Sequence, residues 1–165
     1  NSTIEGKTVV LNLTSNDPTL TVSEGFSQYT INLIQFCPLN ADFTGSYTLS
    51  TVATGIFDSV VFLNGSVTIV EGSNPTERVI SVPPYPEFGA FDPVDFKFSL
   101  VCGNVNVGDI FATGVGCGGS TEIGPAGEVG SYDSSDDSSF NVIFTDDINS
   151  NCGAPYLAEI ILTKN

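Results

Sequence analysis

The chain has 165 residues, the length of one domain with one core, and 41% of them are hydrophobic. Only 14% are charged, and these are unbalanced: 19 acidic residues stand against Lys7, Arg78, Lys97 and Lys164, for a net charge of −15. That argues against nucleic acid or anionic lipid as the partner, since both are held through Lys and Arg, and the absence of His excludes imidazole acid–base chemistry and imidazole metal ligation.

In chain order, residues 1–14 come first. Val9, Leu11 and Leu13 alternate there as in a strand whose apolar side needs a sheet to cover it. Such a strand either pairs within its own chain or is donated to a neighbouring subunit, where alternate side chains fill a groove. Residues 15–165 read as a single β-sandwich domain. The chain begins at Asn1 and contains no Met, which is expected if an initiator and a leader segment have been removed.

Strands are expected over residues 28–36 (Tyr29, Ile31, Leu33), 46–52, 57–62, 66–70, 77–82 and 94–102, the last alternating Phe96, Phe98, Leu100 and Cys102 against Asp95, Lys97 and Ser99. Further strands are expected over 109–113, over 139–145 (Phe140, Val142, Phe144), and before the C-terminus (Ala158, Ile160, Leu162). Asn64-Gly65 predicts a hairpin turn joining 57–62 to 66–70. Seventeen Gly and nine Pro interrupt any helical period. About ten short strands between turn clusters predict an all-β antiparallel sandwich. No apolar run approaches the length of a membrane-spanning helix, so membrane insertion is not expected.

Cys37, Cys102, Cys117 and Cys152 show none of the C-x-x-C spacings of zinc or redox sites, so they predict two disulfides and an oxidising, extracellular compartment. Of the three pairings, Cys37 with Cys102 and Cys117 with Cys152 is favoured. The first two each end an expected strand, and the second two lie in Gly-rich loops.

Hard oxygen donors in loops are what calcium requires. Asp133, Asp136 and Asp137 are the metal candidates, with Asp146 and Asp147 near in sequence and Asp92 and Asp95 apart from them. Their spacing is not that of an EF-hand, and the competing reading is a solvated acidic loop. Gly114, Gly116 and Gly119 spell G-x-G-x-x-G, but Pro125 and more glycines follow where a dinucleotide site needs a helix, so a Gly-rich turn holding Cys117 is expected. N-x-S/T occurs at Asn1, Asn12 and Asn64, no more often than chance gives in so Asn- and Ser/Thr-rich a chain. Tyr85 and Phe88 are the best candidates for stacking on a sugar, against the alternative of a rigid Pro-rich connection. Nothing carries a catalytic signature, and no catalytic residue or resident cofactor is expected.

Val22-Ser23-Glu24-Gly25, Asn64-Gly65-Ser66-Val67-Thr68-Ile69-Val70-Glu71-Gly72, Arg78 to Val82 and Phe96 to Leu100 resemble the Calx-β type of Ig-like sandwich module. Phe36-Cys37-Pro38-Leu39-Asn40, Gly114-Val115-Gly116-Cys117-Gly118-Gly119, Tyr132-Asp133 with Asp136-Asp137, and Glu159-Ile160-Ile161-Leu162-Thr163-Lys164 are similar to secreted surface modules of environmental Gram-negative bacteria. The resemblance implies an Ig-like Greek-key sandwich and a role in extracellular adhesion or assembly, without catalysis. It also implies calcium at one end of the sandwich, with Glu24 at the matching position and residues 83–92, holding Glu87 and Asp92, where the module has its acidic run.

The expectation is therefore a structural subunit of an extracellular filament, self-associating into a homopolymer by donating its N-terminal strand. The alternative is a calcium- or carbohydrate-binding adhesion module of the cell surface.

Overall fold

The computed structural model describes the chain apart from Asn1, Asn16, Leu20, Ser23, Glu24, Phe26 and Ser27, and apart from the side chains of residues 2–8 and 32–36. Alternation of apolar and polar residues becomes twelve strands among the described residues, with no α-helix. These are β1 (Ser2–Asn12), β2 (Gln28–Cys37), β3 (Gly45–Ala53), β4 (Gly65–Glu71), β5 (Glu77–Val82) and β6 (Val94–Val101). They continue as β7 (Asn104–Asn106), β8 (Phe111–Ala112), β9 (Glu122–Ile123), β10 (Gly130–Ser131), β11 (Ser139–Asp146) and β12 (Tyr156–Lys164). No described helix is long and apolar enough to cross a membrane.

The chain divides into two units, Asn1–Cys37 and Pro38–Asn165. β1 is paired along its length with β2, and the two form a two-stranded sheet of their own. The first unit is this antiparallel ribbon.

In the second unit, eight antiparallel strands are hydrogen-bonded in the order β10-β7-β6-β5-β4-β3-β12-β11. From β3 to β7 the sheet is a meander, and β12 returns to pair with β3. The sheet curls over one core: the Phe98 ring on β6 lies 5.8 Å from Phe140 on β11, and Phe96 lies 5.2 Å from Phe144. Phe43, Tyr47, Leu49, Phe62 and Ile80 are fully buried beside them. The curl brings the two edges together. Ser131 N–H on β10 donates to Asn141 Oδ1 on β11 at 2.8 Å, and Gly124 and Thr145 exchange backbone hydrogen bonds. Gly130 is required at this seam, where a Cβ would lie 2.1 Å from the Asn141 carbonyl oxygen.

Arg78 is buried against this core without a carboxylate partner among its described hydrogen bonds. Its guanidinium donates to the carbonyls of Asp42, Phe43, Pro75 and Glu77 at 2.8–3.1 Å, tying the start of the unit to the β4–β5 turn. Burial lowers its pKa.

Two expectations change locally. Residues 57–62 form no strand, and Asn64-Gly65 closes no hairpin with them; Ile56–Asp58 is a 3₁₀ turn, Phe57 and Asp58 have positive φ, and β4 pairs instead with β3. Asn64 Oδ1 accepts from Thr51 N–H and Oγ1, fastening this turn to β3. The strand expected over 109–113 shortens to β8, which pairs with β9. Cys117 and Cys152 are joined as expected, with Cα atoms 5.1 Å apart, and Cys37 and Cys102 are also disulfide-bonded, so no cysteine is free.

Candidate functional site

At one end of the curled sheet, four connections surround an apolar pocket of about 300 Å³. The 3₁₀ turn contributes Ile56 and Phe57, and the β5–β6 connection contributes Tyr85, Phe88 and Phe91. The facing wall is Val115 and the Cys117–Cys152 disulfide. Phe57 and Phe88 stand 60% and 50% exposed with their rings edge to face at 5.9 Å. Three non-glycine residues here, Phe57, Asp58 and Tyr85, have φ between 46° and 58°. Backbone in that region is costly and persists only where surrounding contacts over-determine it.

Those contacts form a buried polar floor. Tyr85 O–H donates to Asp146 Oδ1 at 2.5 Å, and the other oxygen of Asp146 accepts the Ile56 N–H at 2.9 Å. Gly55 is needed beside it, since a Cβ would lie 2.1 Å from Asp146 Oδ2. The Tyr85 oxygen is also 2.9 Å from Thr121 Oγ1, which lies 2.7 Å from Thr113 Oγ1. Burial raises the pKa of Asp146 above the ordinary carboxyl value, and burial with the adjacent Asp146 raises that of Tyr85. Next along the chain, the Asp147 carboxylate accepts the N–H groups of Asn151 and Cys152, both at 2.8 Å, while Asn151 Oδ1 accepts the Cys117 N–H at 2.9 Å. One acidic pair thus sets both the 3₁₀ turn and the disulfide loops. Its polar groups are spent on one another, and the pocket lining carries no charged side chain. What the pocket offers an occupant is apolar contact.

The sugar-stacking candidates separate. Phe88 is on the rim, but Tyr85 is 1% exposed and is the pocket's floor, so it is no stacking platform. Asp146 and Asp147, grouped in sequence with the acidic loop, are both fully buried and belong to the floor. The loop itself engages its own carboxylates: Asp133 accepts from Ser135 N–H and Asp136 from Ser138 N–H, both at 2.9 Å, and Asp137 accepts from Phe43 N–H and pairs with Lys164. These bonds lower the pKa of Asp136, and Lys164 is the leading cause of the lowering at Asp137. Among the described residues no group of three or more Cys, Asp or Glu is arranged to hold a metal ion. Asp95 lines a wider cleft of about 540 Å³ with Asp109 and Lys97. Gly116 and Gly119 form the expected turn at Cys117, where Gly116 has no room for a Cβ against the Gly119 carbonyl. Glu24 and Asn1 lie outside the described residues. Asn12 and Asn64 are exposed, each accepting a hydrogen bond at its side-chain oxygen.

In the N-terminal ribbon, the register places Val9 opposite Ile31 and Leu11 opposite Tyr29, so these four share one face. Their exposures are 39%, 41%, 50% and 63%. The other face carries Val10 opposite Thr30 and Asn12 opposite Gln28, whose side chains are hydrogen-bonded at 3.1 Å. Leu13, just beyond the strand, is 55% exposed.

Comparison with protein-family models, with curated proteins and with solved structures finds no match for this chain.

Proposed function

We propose that the chain is a structural subunit of an extracellular fibre, joined to its neighbours through the N-terminal ribbon. The observation that carries this reading is the exposed apolar face formed by Val9, Leu11, Tyr29 and Ile31. An isolated two-stranded ribbon is marginal in water, and an apolar face left in solvent marks an interaction surface. The element that docks is then the β1–β2 ribbon, since the backbone of β1 is already paired with β2. Two disulfides and a surface rich in small neutral polar residues suit a durable exterior protein.

The same reading takes the Pro38–Asn165 unit as an Ig-like, Calx-β-related sandwich; what supports it is the antiparallel sheet curled over one core and the return of β12 beside β3. Sedimentation velocity and electron microscopy of the full chain, with and without Leu11→Asp and Tyr29→Asp together, test the function. Fibres or a concentration-dependent series of oligomers are expected for the unaltered chain, and monomers with unchanged circular dichroism for the variant. An unaltered chain that stays monomeric at every concentration, or a variant that assembles equally well, overturns the reading.

A further inference from the structure

We propose that the Phe57–Phe88 pocket is the acceptor for the apolar ribbon face of a second copy, so that copies join head to tail. The inference rests on the fibre reading and names its other half. At its β11 edge the eight-stranded sheet has little room for an added strand, because β11 is met at Asn141 by Ser131 and at Thr145 by Gly124. A face made of side chains on a ribbon whose two strands already pair with each other docks through those side chains, and the pocket has the matching chemistry. Its lining is apolar and uncharged, and two aromatic rings stand in solvent at its mouth.

Charge distribution argues for a second copy as the occupant. Two molecules of net charge −15 repel wherever their acidic surfaces meet. Residues 8–16 and 25–41 contain no charged residue, and neither does the pocket lining. The ribbon face and the pocket lining add no charge of their own to that repulsion, and the nearest acids in sequence, Asp58 and Glu87, stand exposed beside the rim rings and not within the lining. The pocket is also preformed. The disulfide, the Asp147 cap on Asn151 and Cys152, and the Asp146–Tyr85 bond fix its walls before anything binds, which limits the ordering cost of association. A carbohydrate would need convergent polar groups for its hydroxyls, and the polar groups beneath the pocket are already bonded to one another. Contact between a ribbon on one copy and a pocket on the next is heterologous, so it propagates.

Complementation tests this in the full-length protein. Phe57→Ser with Phe88→Ser removes the rim, and Leu11→Asp with Tyr29→Asp removes the ribbon face; all four residues are exposed, and near-ultraviolet circular dichroism with thermal melting checks that each double variant folds. Each alone is expected to be monomeric, with association weakened about thirtyfold or more, and an equimolar mixture is expected to give dimers that grow no further. A pocket variant that still polymerises, or a mixture that stays monomeric, overturns the acceptor assignment while leaving the ribbon's role standing. A ribbon variant that polymerises overturns the fibre reading itself. Saturable binding on a glycan array that Phe88→Ser abolishes, with assembly unchanged, replaces the second copy with a carbohydrate.

Discussion

The β1–β2 ribbon and the β11–β12 pair are both long antiparallel ribbons with one apolar face, yet those faces meet opposite fates. On β11–β12, Phe140 opposite Leu162, Val142 opposite Ile160 and Phe144 opposite Ala158 are at most 4% exposed. On β1–β2, Val9 opposite Ile31 and Leu11 opposite Tyr29 are at least 39% exposed. Alternation specifies that a face is apolar; it does not specify which surface covers it. The β11–β12 face is covered from within the chain, its Phe140 and Phe144 packing on Phe43, Tyr47, Phe62, Phe96 and Phe98, whereas under the fibre reading the β1–β2 face is covered by another molecule.

The comparison breaks most sharply at the core. Phe96→Ala removes a ring packed against Phe62, Phe98, Phe111 and Phe144, and urea unfolding is expected to show a loss of about 3–5 kcal/mol. Replacing Cys117 and Cys152 together by Ser opens a link across 35 residues and is expected to cost about 2–4 kcal/mol in the same measurement. Tyr85→Phe leaves the buried Asp146 without its hydroxyl donor and is expected to cost about 1–3 kcal/mol. Leu11→Ala in the ribbon is expected to change monomer stability by less than about 0.5 kcal/mol, a contrast with Phe96 that isolates assembly from folding. A large loss from Leu11→Ala would show that the monomer itself covers this face.

Acid sharpens the same contrast within the second unit. Asp137 is held below its reference value of 3.8, so its stabilising contribution is complete above that value and is lost as pH falls through the lower folded value. Asp146 is raised, so the folded state holds its proton longer than the unfolded chain. Its contribution declines as pH rises from 3.8 through the higher folded value, and stays reduced above it. Carboxyl-carbon NMR titration is expected to place the Asp146 midpoint above that of Asp137; the reverse order would contradict the buried floor.

Residues that act through nearest neighbours were legible in the sequence. The period-two pattern placed β6 to within one residue, because Phe96, Phe98 and Leu100 face one core between more exposed neighbours. The Gly-rich setting of Cys117 pointed to Cys152 for a local reason, a turn tight enough that Gly116 excludes a Cβ. The pocket was not legible. The Ile56 N–H that opens the 3₁₀ turn is held by a carboxylate 90 residues away, and no local pattern records that. Asp146 and Asp147 read as solvated for a similar cause: two adjacent acids after a strand look like surface until the Tyr85 hydroxyl, the Ile56 N–H and the Cys152 N–H are brought to them. Phe88 was singled out for its ring, while its partner Phe57 was hidden in an apolar run that resembled a strand.

The return of β12 beside β3 bears on how such a subunit would carry tension. Lys164 pairs with Tyr47, and Asn165 N–H donates to the Ser46 carbonyl, so the first and last strands of the second unit begin and end side by side. A pull applied between those two ends would peel their hydrogen bonds open one after another, the geometry that resists force least. In the head-to-tail fibre proposed above, load would instead enter ahead of β3 and leave through the disulfide-braced loops. Within that arrangement β12 would hold β3 from the side, as a clasp.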